Sequence, residues 1–244
     1  TPAATILVDV GGQTNLAATN NGNGTWTLPD DTINPGLADG TYDVSVRATT
    51  SGTGTDSTAN ELIIDTTNPT VTVNTLVTND QRPALSGTID EPGATITVDV
   101  DGQTGLPAVN NGNGTWTLVD DTINPGLAAN TYNVTVTATD GAGNVGTDPS
   151  NNELTIDLTA PTVMVATLLT RDNTPALGGT ISDNSATISV SVDGQTRTAV
   201  NNANGTWTLA DNQLSPLADN TFDVTVTATD TAGNVGTDAT SDEL

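Results

Sequence analysis

Short runs of alternating apolar and polar residues recur along the whole chain. The run TYNVTVTATD places Tyr132, Val134, Val136 and Ala138 at every second position, with Asn or Thr between them. Because successive side chains of a strand point to opposite faces, this pattern predicts a strand with one buried and one solvated face. Gly, Asn, Asp and Pro, which favour turns, separate the runs. In the middle third of the chain the expected strands are 70–77, 84–89, 94–100, 105–109, 115–119, 131–139 and 151–157.

The same strands and turns occur in three copies. NNGNGTWTL at 20–28 recurs at 110–118 and, as NNANGTWTL, at 201–209, which is a period of about ninety residues and typical of tandem domains. Aligned on this period, copy one lacks its first two strands and the last strand of copy three is cut short. The predicted modules are residues 1–66, residues 67–158 and residues 159–244.

About seven short strands per copy predict an all-β chain of tandem immunoglobulin-like β-sandwich modules, arranged end to end as a rod. Trp26, Trp116 and Trp207 share one position of the repeat and are expected to anchor the three cores. Tyr132, at the start of the penultimate strand, fits a tyrosine corner, whose hydroxyl bonds to the backbone a few residues upstream. Copy three has Phe222 there and must lack that hydrogen bond.

The composition excludes several classes of function. The chain has 29 acidic residues, four arginines, and no Lys, His or Cys, and its formal charge is −25. This charge repels nucleic acid and anionic membrane surfaces and attracts cations. Disulfides, His- or Cys-based catalysis and the usual zinc sites are impossible, and no run is long enough to insert directly into a membrane. A bound metal would be a hard, oxygen-ligated ion.

Acidic and amide side chains are expected to converge where one module meets the next. In this topology the last strand of a module ends beside its AB and EF turns, and the next module begins beside its BC and FG loops. Clustered carboxylates repel each other unless they are neutralised, and calcium accepts six to eight oxygen ligands. We therefore predict that calcium binds at each junction and locks neighbouring modules together. The candidate ligands are Asp30, Asp31, Asp65, Asp90, Glu91, Asp140 and Asn144 at the first junction, and Asp80, Asp120, Asp121, Asp157, Asp183, Asp230 and Asn234 at the second.

A simpler interpretation is available for each of these residues alone, because Asp and Asn commonly form turns by bonding to their own backbone. Asp99, Asp101 and Asp193, beside Asp-Gly pairs, are expected to serve hairpin turns. The FG-loop pattern TATD-x-AGN occurs in copies two and three, whereas copy one has the shorter RATTSGTGTD at 47–56. A junction site above copy one is therefore not expected.

Two motifs resemble the bacterial Ig-like extender domains of giant RTX and Bap-type surface adhesins. These are D-x-T-x-P-T-V at the start of a module and T-A-T-D-x-A-G-N near its end. The resemblance implies a calcium-rigidified stalk, exported by type I secretion, that holds a binding tip away from the bacterial cell. It also implies an extracellular location at the cell surface. The metal ligands that it implies are Asp65 and Asp157 in the linkers, and Asp140, Asn144, Asp230 and Asn234 in the FG loops.

The function expected is thus a structural extender whose partners are calcium and the neighbouring repeats of the same polypeptide. The alternative is a carbohydrate- or surface-binding adhesive module of the same fold, which would carry a distinctive loop or aromatic cluster in one copy. Ice binding through alternating Thr residues is a third possibility, although any solvated strand face shows such alternation. An enzyme is not expected, since paired carboxylates such as Asp120 and Asp121 lie in a turn without an apolar pocket.

Overall fold

The computed structural model describes residues 3–56 and 58–244, in which all regular secondary structure is β. No helix in these described residues is long and apolar enough to cross a membrane. The all-β, immunoglobulin-like architecture predicted from the alternation is confirmed. We describe the three copies in turn, beginning with copy two because it contains every expected strand position.

The strands of copy two are β8 (Leu76–Thr78), β9 (Leu85–Thr88), β10 (Thr95–Val100), β11 (Gln103–Asn110), β12 (Thr115–Leu118), β13 (Asn130–Tyr132), β14 (Val134–Thr139), β15 (Val145–Thr147) and β16 (Leu154–Ile156). They form two sheets, one of six strands in the order β15-β14-β10-β11-β12-β9 and one of three in the order β13-β16-β8. The long strand β11 pairs with β10 and, at its last two residues, with β12.

Three of the strands predicted for copy two are interrupted. The predicted strand 131–139 is divided at Asn133, where the chain changes from the β13 sheet to the β14 sheet. The predicted strand 151–157 is reduced to β16, and β15 precedes it in the other sheet. Strand 70–77 is reduced to β8 and an isolated bridge from Val71 to Ile89. The physical reason is that these segments pass between the two layers, so no single ladder of hydrogen bonds follows them.

A buried glutamate stabilises this crossing. Glu153 is 2% exposed, and its Oε2 accepts the N–H of Val134, the first residue of β14, at 2.9 Å. Its backbone oxygen accepts the N–H of Leu76 at 2.7 Å. The Leu76 bond belongs to the parallel pairing of β8 with β16. The Glu153 carboxylate gives the Val134 N–H a partner at the point where the chain changes sheets.

Copy three repeats this arrangement in one seven-stranded sheet of order β17-β18-β21-β20-β19-β22-β23. Glu243 is also 2% exposed and accepts the N–H of Val224 at 3.0 Å, as Glu153 does for Val134. The strands are β17 (Val163–Val165), β18 (Leu177–Ile181), β19 (Thr187–Val192), β20 (Gln195–Asn201), β21 (Thr206–Leu209), β22 (Val224–Thr229) and β23 (Val235–Thr237).

Copy one contains a five-stranded sheet of order β3-β2-β1-β5-β6 and a two-stranded sheet of β4 and β7. Its described residues hold no counterparts of β8 and β9. The strands are β1 (Thr5–Val10), β2 (Gln13–Asn20), β3 (Trp26–Thr27), β4 (Gly40–Tyr42), β5 (Val44–Thr49), β6 (Thr53–Thr55) and β7 (Leu62–Ile64).

The tryptophans do not all anchor a core as predicted. Trp116 and Trp207 are 0% and 1% exposed, but Trp26 is 39% exposed, so the prediction is wrong for copy one. In copies two and three the first two strands lie over the indole, and Trp116 Nε1 donates to Thr72 O at 2.8 Å. Copy one has no such strands among its described residues, and its indole is left at an open surface.

The expected turns are present. Tyr132 donates its hydroxyl to Ala128 O at 3.0 Å, which is the predicted tyrosine corner, and the side chain of Tyr42 makes the same bond within copy one. In the β10–β11 hairpin, Asp101 and Gly102 have φ of 47° and 75°. Positive φ at both positions defines the type I′ turn that Asp-Gly pairs favour.

Candidate functional site at the inter-module junctions

The FG loop of copy two, residues 140–144 between β14 and β15, is organised by one carboxylate. Asp140 Oδ1 accepts backbone N–H groups from Ala142 at 2.8 Å, Gly143 at 2.7 Å and Asn144 at 2.9 Å. Gly143 has φ of 96°, a conformation that glycine adopts without strain. The hydrogen bond from the Asn144 side chain, followed by those from the loop amides, lowers the pKa of Asp140. The loop is therefore a preorganised turn around an ionised carboxylate.

Asn144 connects this loop to the preceding module. Its Nδ2 donates to Asp140 Oδ2 at 2.8 Å and to the backbone oxygen of Asp65 at 3.0 Å. Asp65 follows β7 and is 79 residues away in the sequence. One amide nitrogen thus joins the FG loop of copy two to the linker that leaves copy one, and we call this the first junction.

The second junction has the same construction. Asn234 Nδ2 donates to Asp230 Oδ2 at 2.9 Å and to the backbone oxygen of Asp157 at 2.8 Å. Burial acts to raise the pKa of Asp230, but hydrogen bonds from Asn234 and the loop amides outweigh it, so the pKa is lowered. The predicted convergence of linker and FG loop is therefore found at both junctions, through backbone oxygens of the linker aspartates.

The second junction has one additional contact. The N–H of Asn79, in the turn after β8, donates to Ala232 O at 2.9 Å, and Ala232 is 6% exposed. The equivalent Ala142 is exposed, because copy one has no strand pair among its described residues that would supply the matching turn. The FG loop of copy three therefore rests on a turn of copy two as well as on the linker.

The carboxylates of the linker aspartates are turned toward the linker itself. Asp65 Oδ1 accepts the N–H of Thr67 at 3.0 Å, and Asp157 Oδ1 accepts the N–H of Thr159 at 2.9 Å. These are the short-range bonds that Asp makes in turns. They hold the linker in shape while leaving the backbone oxygens to the FG-loop asparagines.

Sequence reasoning missed Asp39, which also orders the first linker. Its Oδ1 accepts the N–H and hydroxyl of Thr66 at 3.1 and 2.8 Å, and its Oδ2 accepts the hydroxyl of Thr67 at 2.9 Å. The Thr66 and Thr67 hydroxyls are the main cause of the lowered pKa of Asp39. Copy two has Ala129 at the equivalent position, and this difference between otherwise similar motifs is the signal that could have identified Asp39.

The BC-loop acids bond within their own modules. Asp90 Oδ1 accepts the N–H of Thr70 at 2.7 Å, which is the main cause of its lowered pKa. Glu91 uses its backbone oxygen to accept a turn amide. Asp183 Oδ1 accepts the N–H and hydroxyl of Ser185 at 2.8 and 2.7 Å. Glu91 and Asp183 therefore serve local turns, and Asp90 holds Thr70, which is twenty residues away at the start of the same module.

At the base of copy two, Arg82 contacts two of the predicted ligands, Asp80 and Asp121. Asp80 Oδ1 accepts the N–H of Arg82 at 2.9 Å. The Arg82 guanidinium donates to Ile123 O at 2.8 Å and Asp121 O at 2.7 Å, and Nη1 lies 3.4 Å from Asp121 Oδ1. Sequence reasoning missed Arg82, which provides the positive charge beside Asp121. The remaining EF-turn acids, Asp30, Asp31 and Asp120, are exposed.

The described residues, 3–56 and 58–244, contain no group of three or more His, Cys, Asp or Glu side chains that could hold a metal ion. At the first junction both Asp140 oxygens already accept N–H groups. Calcium requires six to eight oxygen ligands. The oxygen atoms of the junction, in their present arrangement, do not form such a coordination shell. The junctions are instead joined by hydrogen bonds, and we call each set of bonded groups a clasp. The first clasp consists of Asp140, Asn144 and the backbone oxygen of Asp65. The second consists of Asp230, Asn234 and the backbone oxygen of Asp157.

Solved structures similar to this chain include segments of bacterial adhesins. A structure from a 1.5-MDa bacterial ice-binding adhesin is 25% identical, with 97% of this chain and 84% of that chain covered and a TM-score of 0.37. A Ca2+-stabilized adhesin that helps an Antarctic bacterium bind ice is 25% identical, with 98% and 65% covered and a TM-score of 0.37. A tetra-tandem repeat from the extending region of a large adhesion protein is 25% identical, with 98% and 66% covered and a TM-score of 0.36. This chain spans about two thirds of the latter two.

The family match covers most of copies two and three. Comparison with curated proteins found no match. The model of the bacterial Ig-like domain matches residues 70–158 and residues 164–242, which together make up more than half of the chain. Two successive matches agree with the repeat period and with the paired sheets. The chain therefore belongs to the bacterial Ig-like domain family.

Proposed function

We propose that this chain is an extender segment of a large bacterial surface adhesin, in which tandem modules hold a distal binding region away from the cell. The observation that carries the proposal is the clasp, which occurs at both junctions with the same residue types. A joint that uses one asparagine to hold the preceding linker limits rotation between modules, as a spacer requires. The role proposed is structural, at the extracellular surface, and it includes no catalysis.

The similarity of the copies supports an extender rather than an adhesive module. Residues 110–118 and 201–209 differ at one position, and the two FG loops at 140–144 and 230–234 differ at one position. A binding module is expected to carry a distinctive loop in one copy. The FG loop of copy one, at 47–56, differs by lacking the clasp sequence.

Calcium binding at the junctions is the second part of the proposal. It is supported by the formal charge of −25 and by the aspartates that each clasp brings together, Asp65 with Asp140 and Asp157 with Asp230. The present arrangement does not complete a shell, so a bound ion would require these carboxylates to give up some of their N–H partners. When bound, the ion would supply charge neutralisation between modules, in addition to the direct hydrogen bonds.

Small-angle scattering of the complete chain tests the two parts separately. In chelator, the wild type should keep a larger maximum dimension and a narrower set of conformations than the double variant Asn144→Ala, Asn234→Ala. Equal curves for the two proteins would contradict the clasp and the extender role that rests on it. Titration of calcium into the wild type, followed by calorimetry and thermal melting, tests whether the ion binds. No heat of binding and no change in melting temperature would remove calcium from the proposal and leave the clasp unaffected.

A further inference from the structure

The loops that precede β12 and β21 carry the same sequence, Asn-Gly-Thr, at residues 113–115 and 204–206. Asn113 and Asn204 are both exposed. An asparagine followed by glycine can react with its own backbone, because glycine has no side chain to hinder the approach of its nitrogen to the asparagine side chain. The two loops therefore place the same reactive pair on the surface of copies two and three.

In each loop the threonine donates to the carbonyl oxygen of the asparagine side chain. Thr115 donates its N–H and its hydroxyl to Asn113 Oδ1 at 3.2 and 2.7 Å. Asn111 Nδ2 donates to Thr115 Oγ1 at 2.9 Å, so the hydroxyl proton is directed at Asn113. Thr206 makes the same two bonds to Asn204, at 3.2 and 2.6 Å. Two donors on a carbonyl oxygen stabilise the negative charge that this oxygen acquires when a nucleophile attacks its carbon.

The two loops differ at the glycine nitrogen, which is the nucleophile. Gly205 donates its N–H to Asn184 Oδ1 at 2.9 Å. Copy two has Pro92 at the position of Asn184, and within the described residues the Gly114 N–H has no acceptor. The bond to Asn184 holds the Gly205 nitrogen in place and keeps it protonated, whereas the Gly114 nitrogen carries no such restraint.

We propose that Asn113 and Gly114 form a site of spontaneous deamidation, and that Asn184 protects the equivalent Asn204. The Gly114 nitrogen loses its proton to hydroxide or water and bonds to Asn113 Cγ. The Cγ–Nδ2 bond breaks, and Nδ2 leaves as ammonia after taking a proton from water. The product is a succinimide ring, which water opens to aspartate or isoaspartate. Water is the only co-reactant.

The reactive loop of copy two lies at the end of the module that carries the clasp. Asn110, the last residue of β11, donates through Nδ2 to Ala94 O at 3.0 Å. The next residue, Thr95, pairs with Thr139, after which the FG loop begins. Conversion of Asn113 to aspartate therefore adds a negative charge at the junction end of the module. The reaction needs only the loop and water, so it does not depend on the proposed extender role.

The test incubates the complete chain at mildly alkaline pH and follows aspartate and isoaspartate at each site by peptide mapping with mass spectrometry. We expect Asn113 to react roughly fivefold faster than Asn204, the ratio that one hydrogen bond of about 1 kcal/mol provides. Asn184→Ala should remove this difference by raising the rate at Asn204, with Asn113 in the same molecule as the internal standard. Asn220→Ala, at another exposed residue of copy three, should leave both rates unchanged.

A second pair of variants tests the donors on the asparagine oxygen. Thr115→Val removes the hydroxyl and should slow the reaction at Asn113 roughly fivefold, whereas Thr115→Ser keeps the hydroxyl and should retain the rate. In urea, where the loop geometry is lost, Asn113 and Asn204 should react at similar rates because both are followed by Gly-Thr-Trp-Thr-Leu.

Several results would overturn the proposal. It is wrong if Asn113 does not react in the folded wild type, if Asn113 and Asn204 react equally there, or if Asn184→Ala leaves the rate at Asn204 unchanged. A faster reaction in Thr115→Val would show that the hydroxyl only restrains the side chain. Aspartate without isoaspartate would indicate direct hydrolysis in place of ring closure. The same inequality in urea would assign the difference to the preceding residues, Gly112 and Ala203.

Discussion

Replacing Asn234 by Asp or by Ala should loosen the second junction when divalent cations are absent. The two substitutions remove the same donor, Nδ2, but only Asp places a carboxylate oxygen where that donor was. Asp230 Oδ2 and Asp157 O lie 2.9 and 2.8 Å from Nδ2. The aspartate variant therefore converts two attractive contacts into two repulsive ones.

The magnitudes follow from these two bonds. A hydrogen bond between neutral groups contributes about 1 kcal/mol and one to a charged group about 1.5–3 kcal/mol. Because solvent reaches this carboxylate, we use the lower value for the charged bond and expect Asn234→Ala to cost about 2.5 kcal/mol, of which about 1 kcal/mol crosses the junction. Repulsion between two carboxylates about 4 Å apart in water adds about 1 kcal/mol for Asn234→Asp.

Distances between spin labels measure the effect. The natural sequence has no cysteine, so Val109→Cys and Val200→Cys provide unique sites, and both valines are exposed. A loss of about 1 kcal/mol should raise the undocked population roughly fivefold and broaden the distance distribution in chelator. Asn144→Ala, which alters the first junction, is the matched control and should leave this distribution unchanged.

An unchanged distance distribution for both Asn234 variants in chelator would refute the clasp as the element that holds the modules. Calcium provides a second comparison, because an additional carboxylate favours an oxygen-ligated ion. If calcium narrows the distribution for Asn234→Asp more than for Asn234→Ala, an ion binds beside this loop. Equal responses of the two variants would contradict calcium coordination there.

Three further predictions concern stability, measured by urea unfolding. Gly179→Ala should destabilise its module by about 3 kcal/mol or more, since its Cβ would lie 1.9 Å from a backbone oxygen, whereas Gly141→Ala, which has open space around it, should have little effect; equal effects would contradict this packing. Glu153→Ala should lower the free energy of unfolding by about 1–3 kcal/mol because it leaves the buried Val134 N–H unpaired. Glu61→Ala, at an exposed residue, should lower it less. A reversed order would show that the change of sheets at Val134 does not depend on the carboxylate. The pKa of Asp140 is lowered in the folded protein. Its contribution to stability is therefore present above the ordinary Asp pKa of about 4 and is lost as the pH falls through the folded value. Asp140→Asn should reduce this loss of stability in acid, and an unchanged pH dependence would contradict the assignment.

The sequence by itself determined the all-β, immunoglobulin-like fold and most of the strands. Alternation of period two, as at Val134 and Val136, is a local property that a strand expresses wherever it lies, and the Asp-Gly turn at 101–102 needs only its own backbone. The repeat period also indicated that linker and FG loop would meet, because consecutive modules of the same topology repeat the same contacts. For these reasons the fold and the location of the junctions could be predicted from sequence.

Only the tertiary structure decided which atoms meet there. Asn144 and Asp65 are 79 residues apart, and no local pattern specifies that an amide nitrogen would contact a backbone oxygen, in place of the carboxylate cluster that the sequence led us to expect. The same is true of Arg82, whose guanidinium reaches Asp121 across two turns, and of Trp26, whose exposure depends on strands that are absent from the described part of its module. Burial and charge pairing depend on all the segments that surround a side chain, and residue identity alone does not provide that information.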